Sequence, residues 1–162
     1  MNWKQLLKRM KLDYIKATAP GFFELSGGYN MLVKPYNDTT ANGLQRCIEN
    51  FINHLPDGLG QATRINTTGM PRKMANGEIK WSTGNTRKGF SDIVGSYAGR
   101  FISIEVKIGR DKQTEAQCRE QERVHKTGGV YILAKDFPGF LDQWRAAGFP
   151  IPEYNGHLKQ LS

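Results

Sequence analysis

The stretch that decides the fold is Gly89-Phe90-Ser91-Asp92-Ile93-Val94-Gly95-Ser96-Tyr97-Ala98-Gly99-Arg100-Phe101-Ile102-Ser103-Ile104-Glu105-Val106-Lys107-Ile108. Two apolar runs, Phe90–Tyr97 and Arg100–Ile108, flank the tight turn Ala98-Gly99, which predicts an antiparallel hairpin. Side chains alternate faces along a strand, so Ile102, Ile104, Val106 and Ile108 point into a core. Phe101, Ser103, Glu105 and Lys107 take the other face, with Glu105 and Lys107 about 6.6 Å apart along the strand. Counting back from the turn sets Asp92 opposite Glu105 to Lys107, so two carboxylates and an ammonium should converge at one edge of the sheet.

Downstream, Thr114–Lys126 reads as a helix opened by a Thr114/Gln117 capping box and stopped by Gly128-Gly129. Val130–Ala134 reads as a buried strand, and Phe137–Ala147 as a closing helix with Phe140, Leu141 and Trp144 inward. Upstream, Gln61–Asn66 reads as a strand. Ala41–His54 is an amphipathic helix whose stripe is Leu44, Cys47, Ile48, Phe51, Ile52 and Leu55, with capping side chains at its start and Pro56-Asp57-Gly58 at its end. Residues 67–89 form a Gly/Asn/Thr-rich, hairpin-like excursion bearing Arg72, Lys73, Lys80, Arg87 and Lys88, with strand character at Glu78–Ser82. Residues 2–11 predict a short basic helix, and Ala17–Thr40 an irregular arm with room for a hairpin. The resulting order, helix, three strands, helix, strand, predicts an α/β fold around a small mixed sheet. It divides the chain into an N-terminal helix and arm (1–40), a core (41–135) and a C-terminal helix and tail (136–162).

At 162 residues and a mean hydropathy of -0.56 the chain suits one globular domain. It lacks the ~20-residue apolar run of a membrane helix. The first residues lack the apolar stretch of a secretory signal, so a cytoplasmic setting is expected. The net charge is +8, and residues 60–126 carry 13 basic against 7 acidic side chains, or six of those eight charges. Such a concentrated positive field suits a polyanion, nucleic acid above all. Cys47 and Cys118 lack the spacing of a metal site or disulfide framework and are expected to be buried thiols.

A pair of carboxylates repels unless a cation lies between them, and Mg²⁺ favours one or two carboxylates completed by waters and phosphate oxygens. A neighbouring Lys can orient or deprotonate water or neutralise developing charge. Asp92, Glu105 and Lys107 therefore fit metal-assisted phosphodiester hydrolysis, although Glu-x-Lys is also an ordinary exposed pair on a strand. By its local pattern alone Gln117 reads as the cap partner of Thr114, and Arg64 as a solvated strand residue. Trp81 reads more as a packing anchor than as a base-stacking ring, and His54, His125 and His157 read as surface or helix-end residues.

Taken in order, Gly89–Val94, Gly99–Lys107, Thr114–Gln117 and Gly128–Tyr131, with Ala62–Asn66 before them, resemble the PD-(D/E)XK nuclease superfamily. They look most like its VRR-NUC-type and phage-like branch, relatives of Holliday-junction resolvases. The resemblance covers about residues 41–135 and implies a restriction-endonuclease-like αβββαβ core. It implies a metal-dependent DNA endonuclease with a structure-specific, resolvase-like preference, the alternative being a catalytically inactive DNA-binding protein that keeps the fold. It implies Asp92, Glu105 and the Val106 carbonyl as ligands of Mg²⁺, for which Mn²⁺ substitutes. Lys107 would be the catalytic lysine, and Gln117 a residue that arranges the site. DNA is the implied partner, with a homodimer in keeping with the branch. Arg64 and Asn66 match polar residues near its DNA path, and the basic side chains Arg72, Lys73, Arg87, Lys88, Arg110 and Lys112 would hold the phosphate backbone. Two departures stand out. Ser91 replaces the proline of the family name, and Ala41 lies where the branch often has a glutamate.

Overall fold

The computed structural model describes residues 2–27, 34–65, 71–81 and 88–153. Its centre is the hairpin of β4 (Ile93–Tyr97) and β5 (Arg100–Val106). Ala98 and Gly99 both adopt positive φ, 48° and 79°, the turn geometry that matches the twist of paired strands. Pairing runs from Tyr97↔Arg100 to Ile93↔Ile104. Outside this pair, β1 (Gly60–Arg64) joins β4 antiparallel and β6 (Val130–Ala134) joins β5 parallel, giving the mixed order β1-β4-β5-β6. A separate two-stranded ribbon, β2 (Pro71–Lys73) and β3 (Ile79–Trp81), is spliced between β1 and β4.

Five helices complete the described chain: α1 (Trp3–Thr18), α2 (Pro20–Leu25), α3 (Ala41–Asn53), α4 (Glu115–Lys126) and α5 (Phe137–Ala146). The α3 stripe lies wholly inside, with Leu44, Cys47, Ile48, Phe51 and Ile52 at 0% exposure. The Thr40 hydroxyl caps its first turn by accepting from the Gly43 N–H. Phe51 meets Phe137, Phe140 and Trp144 edge-on at centroid distances of 5.5–6.0 Å, the geometry aromatic rings prefer. One core cluster joins Leu6, Leu7 and Met10 of α1 to α3, the apolar face of β5 and α5.

The structure corrects several expectations. The first helix runs on to Thr18, because Leu7, Met10 and Leu12 continue its buried face and no Gly or Pro interrupts it before Pro20. The supposed irregular arm contains α2, which starts with Pro20 in the first turn, where a missing N–H costs nothing. Residues 28–33 of that arm, where a hairpin was expected, lie outside the described residues. Cys118 is exposed on α4, while Cys47 is buried as expected. His54 does end α3, but it is buried, with its Nε2 3.2 Å from Lys11 Nζ and its ring against Tyr14. Trp81 is 70% exposed rather than a packing anchor, since its ribbon pairs with no strand of the main sheet.

Candidate active site

Extending the β4–β5 register one step beyond Ile93↔Ile104 sets Asp92 opposite Glu105. The backbone confirms the placement: the Val106 N–H donates to Asp92 Oδ2 at 2.9 Å, and the Ile65 N–H donates to the Asp92 carbonyl at 2.7 Å. Because β4 and β5 are the inner strands, the carboxylates gather at the end of the sheet's central pair, not along an outer edge. The chain enters β4 through Gly89, at φ 80°, where a Cβ would stand 2.5 Å from the Ala116 backbone. Only glycine permits this approach, which seats the Asp92 segment against the first turn of α4.

Glu105 and Lys107 lie on one side of the sheet, as alternation predicts, yet both are buried, at 2% and 7% exposure. Lys107 Nζ sits 3.1 Å from Glu105 Oε1 and 3.4 Å from Asp111 Oδ2. Gln117 makes two contacts through opposite ends of its amide. Its Oε1 accepts from the Thr114 N–H at 2.8 Å, completing the capping box, while its Nε2 donates to Glu105 Oε1. The cap thereby fixes the rotamer of a residue that holds the glutamate.

The other Glu105 oxygen, Oε2, is buried with no hydrogen-bond partner. Burial and then the Asp92 charge push the Glu105 carboxyl up to about 7, against the pull of Lys107. For Lys107, burial works to lower the pKa, but Glu105 and Asp111 outweigh it and the net direction is upward, so the side chain stays an ammonium. An unpaired buried carboxylate oxygen beside a second carboxylate is costly in isolation and is the donor set a hard divalent cation selects. Asp92, Glu105 and the Val106 carbonyl therefore fit such an ion. Among the described residues no set of three Asp, Glu, His or Cys side chains could hold a metal, so the remaining ligands would be water and substrate oxygens.

Ser91 is fully buried and accepts from Ser103 Oγ at 2.7 Å. Gln113 Nε2 reaches the Tyr131 hydroxyl at 3.4 Å. This polar layer beneath the site was not anticipated. Its one sequence signal was Ser103, which shares a face with Glu105. Asp111, the second partner of Lys107, was also missed, between the Arg110 and Lys112 that the sequence singles out.

The expected phosphate contacts are more dispersed. Arg64 ends β1 beside the site, but its guanidinium donates to Asn42 at 2.7 Å and to Gln45 at 2.6 Å on α3, so it is neither simply solvated nor free. Arg72 and Lys73 are exposed on the ribbon, and Lys88, Arg110 and Lys112 are exposed next to the strand and turn that carry Asp92 and Lys107. Asn66 and Arg87 lie outside the described residues. No described helix is long and apolar enough to cross a membrane. Compared with known proteins, the chain matches no family model and no curated protein sequence.

Proposed function

We propose that this chain is a divalent-metal-dependent DNA endonuclease of the PD-(D/E)XK type that hydrolyses phosphodiester bonds at Asp92, Glu105 and Lys107. The observation that carries the reading is the buried, partnerless Oε2 of Glu105, on a carboxyl that feels the Asp92 charge while Lys107 holds its other oxygen. Asp92 and Glu105, with the Val106 carbonyl, would hold the ion. When bound, Mg²⁺ or Mn²⁺ would supply Lewis-acid stabilisation of negative charge on the phosphoryl oxygens and a more acidic water.

The chain's own groups do the rest. Lys107, fixed between Glu105 and Asp111, presents an ammonium that orients water by hydrogen bonding and offsets negative charge as it builds on the phosphoryl oxygens. Gln117 donates to the same Glu105 oxygen that Lys107 holds, so both anchors engage Oε1 and neither engages Oε2. The exposed basic side chains around the site hold the backbone without reading bases. A resolvase-like preference for branched DNA and a homodimeric assembly belong to this same reading.

The test is a panel of branched, nicked and linear DNA incubated with Mg²⁺ or Mn²⁺. Cutting should require the ion and disappear in Asp92→Ala and Lys107→Ala. Salt-sensitive binding without cutting under either ion would instead identify a DNA-binding protein that keeps the fold, and cutting that persists in EDTA would remove the assignment.

A further inference from the structure

The β2–β3 ribbon has two chemically distinct faces. Residues directly opposite in an antiparallel pair share a face, so Pro71, Trp81, Lys73 and Ile79 lie together on one side and Arg72 and Lys80 on the other. Every residue of both strands is exposed, Trp81 at 70% and Ile79 at 68%. A two-stranded ribbon is marginal in water by itself. This one nevertheless has a built turn: the Met74 N–H donates to the Glu78 carbonyl at 2.8 Å, and the Asn76 side chain ties down Glu78 at 3.0 and 3.1 Å.

Two features of the ribbon are unfavourable in the free protein. A large indole and an Ile stand in solvent, in a sheet of only two strands among the described residues, and Arg72 and Lys80 are like charges directly opposite one another. A single kind of partner relieves both. A nucleobase against the indole covers its face and brings its phosphate toward Lys73, the cation of that face, while phosphates elsewhere on the same strand, set between Arg72 and Lys80 on the opposite face, remove their repulsion. Stacking on a side chain needs a base that is not enclosed in a duplex, so the partner is a strand with unpaired bases. The ribbon is joined to the sheet at Ile65, whose N–H bonds the Asp92 carbonyl, and re-enters it at the Asp92 segment. Its tethers therefore begin at the candidate active site.

We infer that the β2–β3 ribbon is a nucleic-acid-binding arm that stacks an unpaired base on Trp81, meets the adjoining phosphate with Lys73 on the same face, and holds phosphates farther along the strand with Arg72 and Lys80 on the other face. The inference rests on the nuclease reading for its setting, and it names the substrate class as DNA carrying an unpaired stretch.

The test measures binding in EDTA, where cutting cannot interfere, by fluorescence anisotropy of a labelled 20-nucleotide single strand and of a blunt duplex of the same sequence. Trp81→Ala should weaken single-strand binding roughly 5- to 150-fold while Trp81→Phe keeps most of it. The duplex affinity should change less. Arg72→Ala combined with Lys80→Ala should reduce the salt slope of log K by roughly 1.4 on the single strand. Because these side chains are exposed, the circular-dichroism spectrum and melting temperature should match wild type. Unchanged single-strand affinity in Trp81→Ala, equal losses on single strand and duplex, or no DNA binding at all would each overturn the inference. A protein that binds through Trp81 but never cuts would sustain the arm and remove the nuclease reading, so the two fail separately.

Discussion

Replacing Glu105 with Gln removes one buried charge and little volume, and the structure predicts that the metal-free protein gains stability from it. Glu105 is 2% exposed, and burial and the Asp92 charge raise its carboxyl from 4.5 to about 7 in the fold. Lys107 and Asp111 face the same group and are already reflected in that value. The Gln oxygen can still accept from Gln117 and Lys107. Below about pH 4.5 folded and unfolded chains are both protonated at Glu105, and the group adds no pH dependence. Between about 4.5 and 7 the unfolded chain has released its proton while the folded one retains it, so wild-type stability falls as pH rises. Above that window the penalty levels off at roughly 3 kcal/mol, from about 1.4 kcal/mol for each pKa unit. Urea denaturation of wild type and Glu105→Gln in EDTA, at intervals from pH 4 to 9, measures this effect, because titrating groups that do not interact with Glu105 cancel in the difference. The variant should be indistinguishable near pH 4 and more stable by roughly 3 kcal/mol at pH 8. A pH-independent difference, or a variant less stable than wild type at pH 8, would refute the burial argument.

The opposite slope is expected at His54, where burial and then Lys11 lower the pKa to about 4. The fold should lose stability as pH falls from about 6.5 toward 4, and an NMR titration should find this imidazole neutral at pH 5.5. Gln117→Ala removes both the N-cap partner and the Glu105 anchor, so chemical denaturation should show a loss of roughly 1–2 kcal/mol. Ala98→Gly should raise stability by roughly 0.5–1 kcal/mol in thermal melts, since Ala98 adopts φ 48°. Trp144→Ala opens a cavity among Phe51, Tyr97, Phe140 and Phe149 and should cost roughly 3–5 kcal/mol by urea titration.

The features that could be read from sequence were those set by local geometry. Ala98-Gly99 fixed the turn, alternation put Glu105 and Lys107 on one face, and the register then brought Asp92 across from them. The α3 stripe was equally plain, because its apolar period admits one orientation. What escaped depended on other elements packing against these. Glu105 and Lys107 are buried because β5 lies inside the sheet with α4 alongside β6, a fact absent from the strand's own pattern. Gln117 could not be assigned from a capping box alone, since the two proposed roles use opposite ends of one amide. Trp81 was misread because a Trp usually finds a neighbour, and among the described residues this ribbon pairs only with itself. α2 was hidden by a Gly- and Pro-rich composition that suggests loops.

The central claim is that Asp92 and Glu105 hold a divalent ion while Lys107 acts on the phosphate and its attacking water. Mn²⁺ binding counted by electron paramagnetic resonance, with plasmid nicking measured on the same samples, separates these roles. Wild type should bind and nick, Asp92→Ala and Glu105→Ala should do neither, and Lys107→Met should bind Mn²⁺ without nicking. Equal Mn²⁺ binding by wild type and Asp92→Ala, or nicking by Lys107→Met at the wild-type rate, would contradict it.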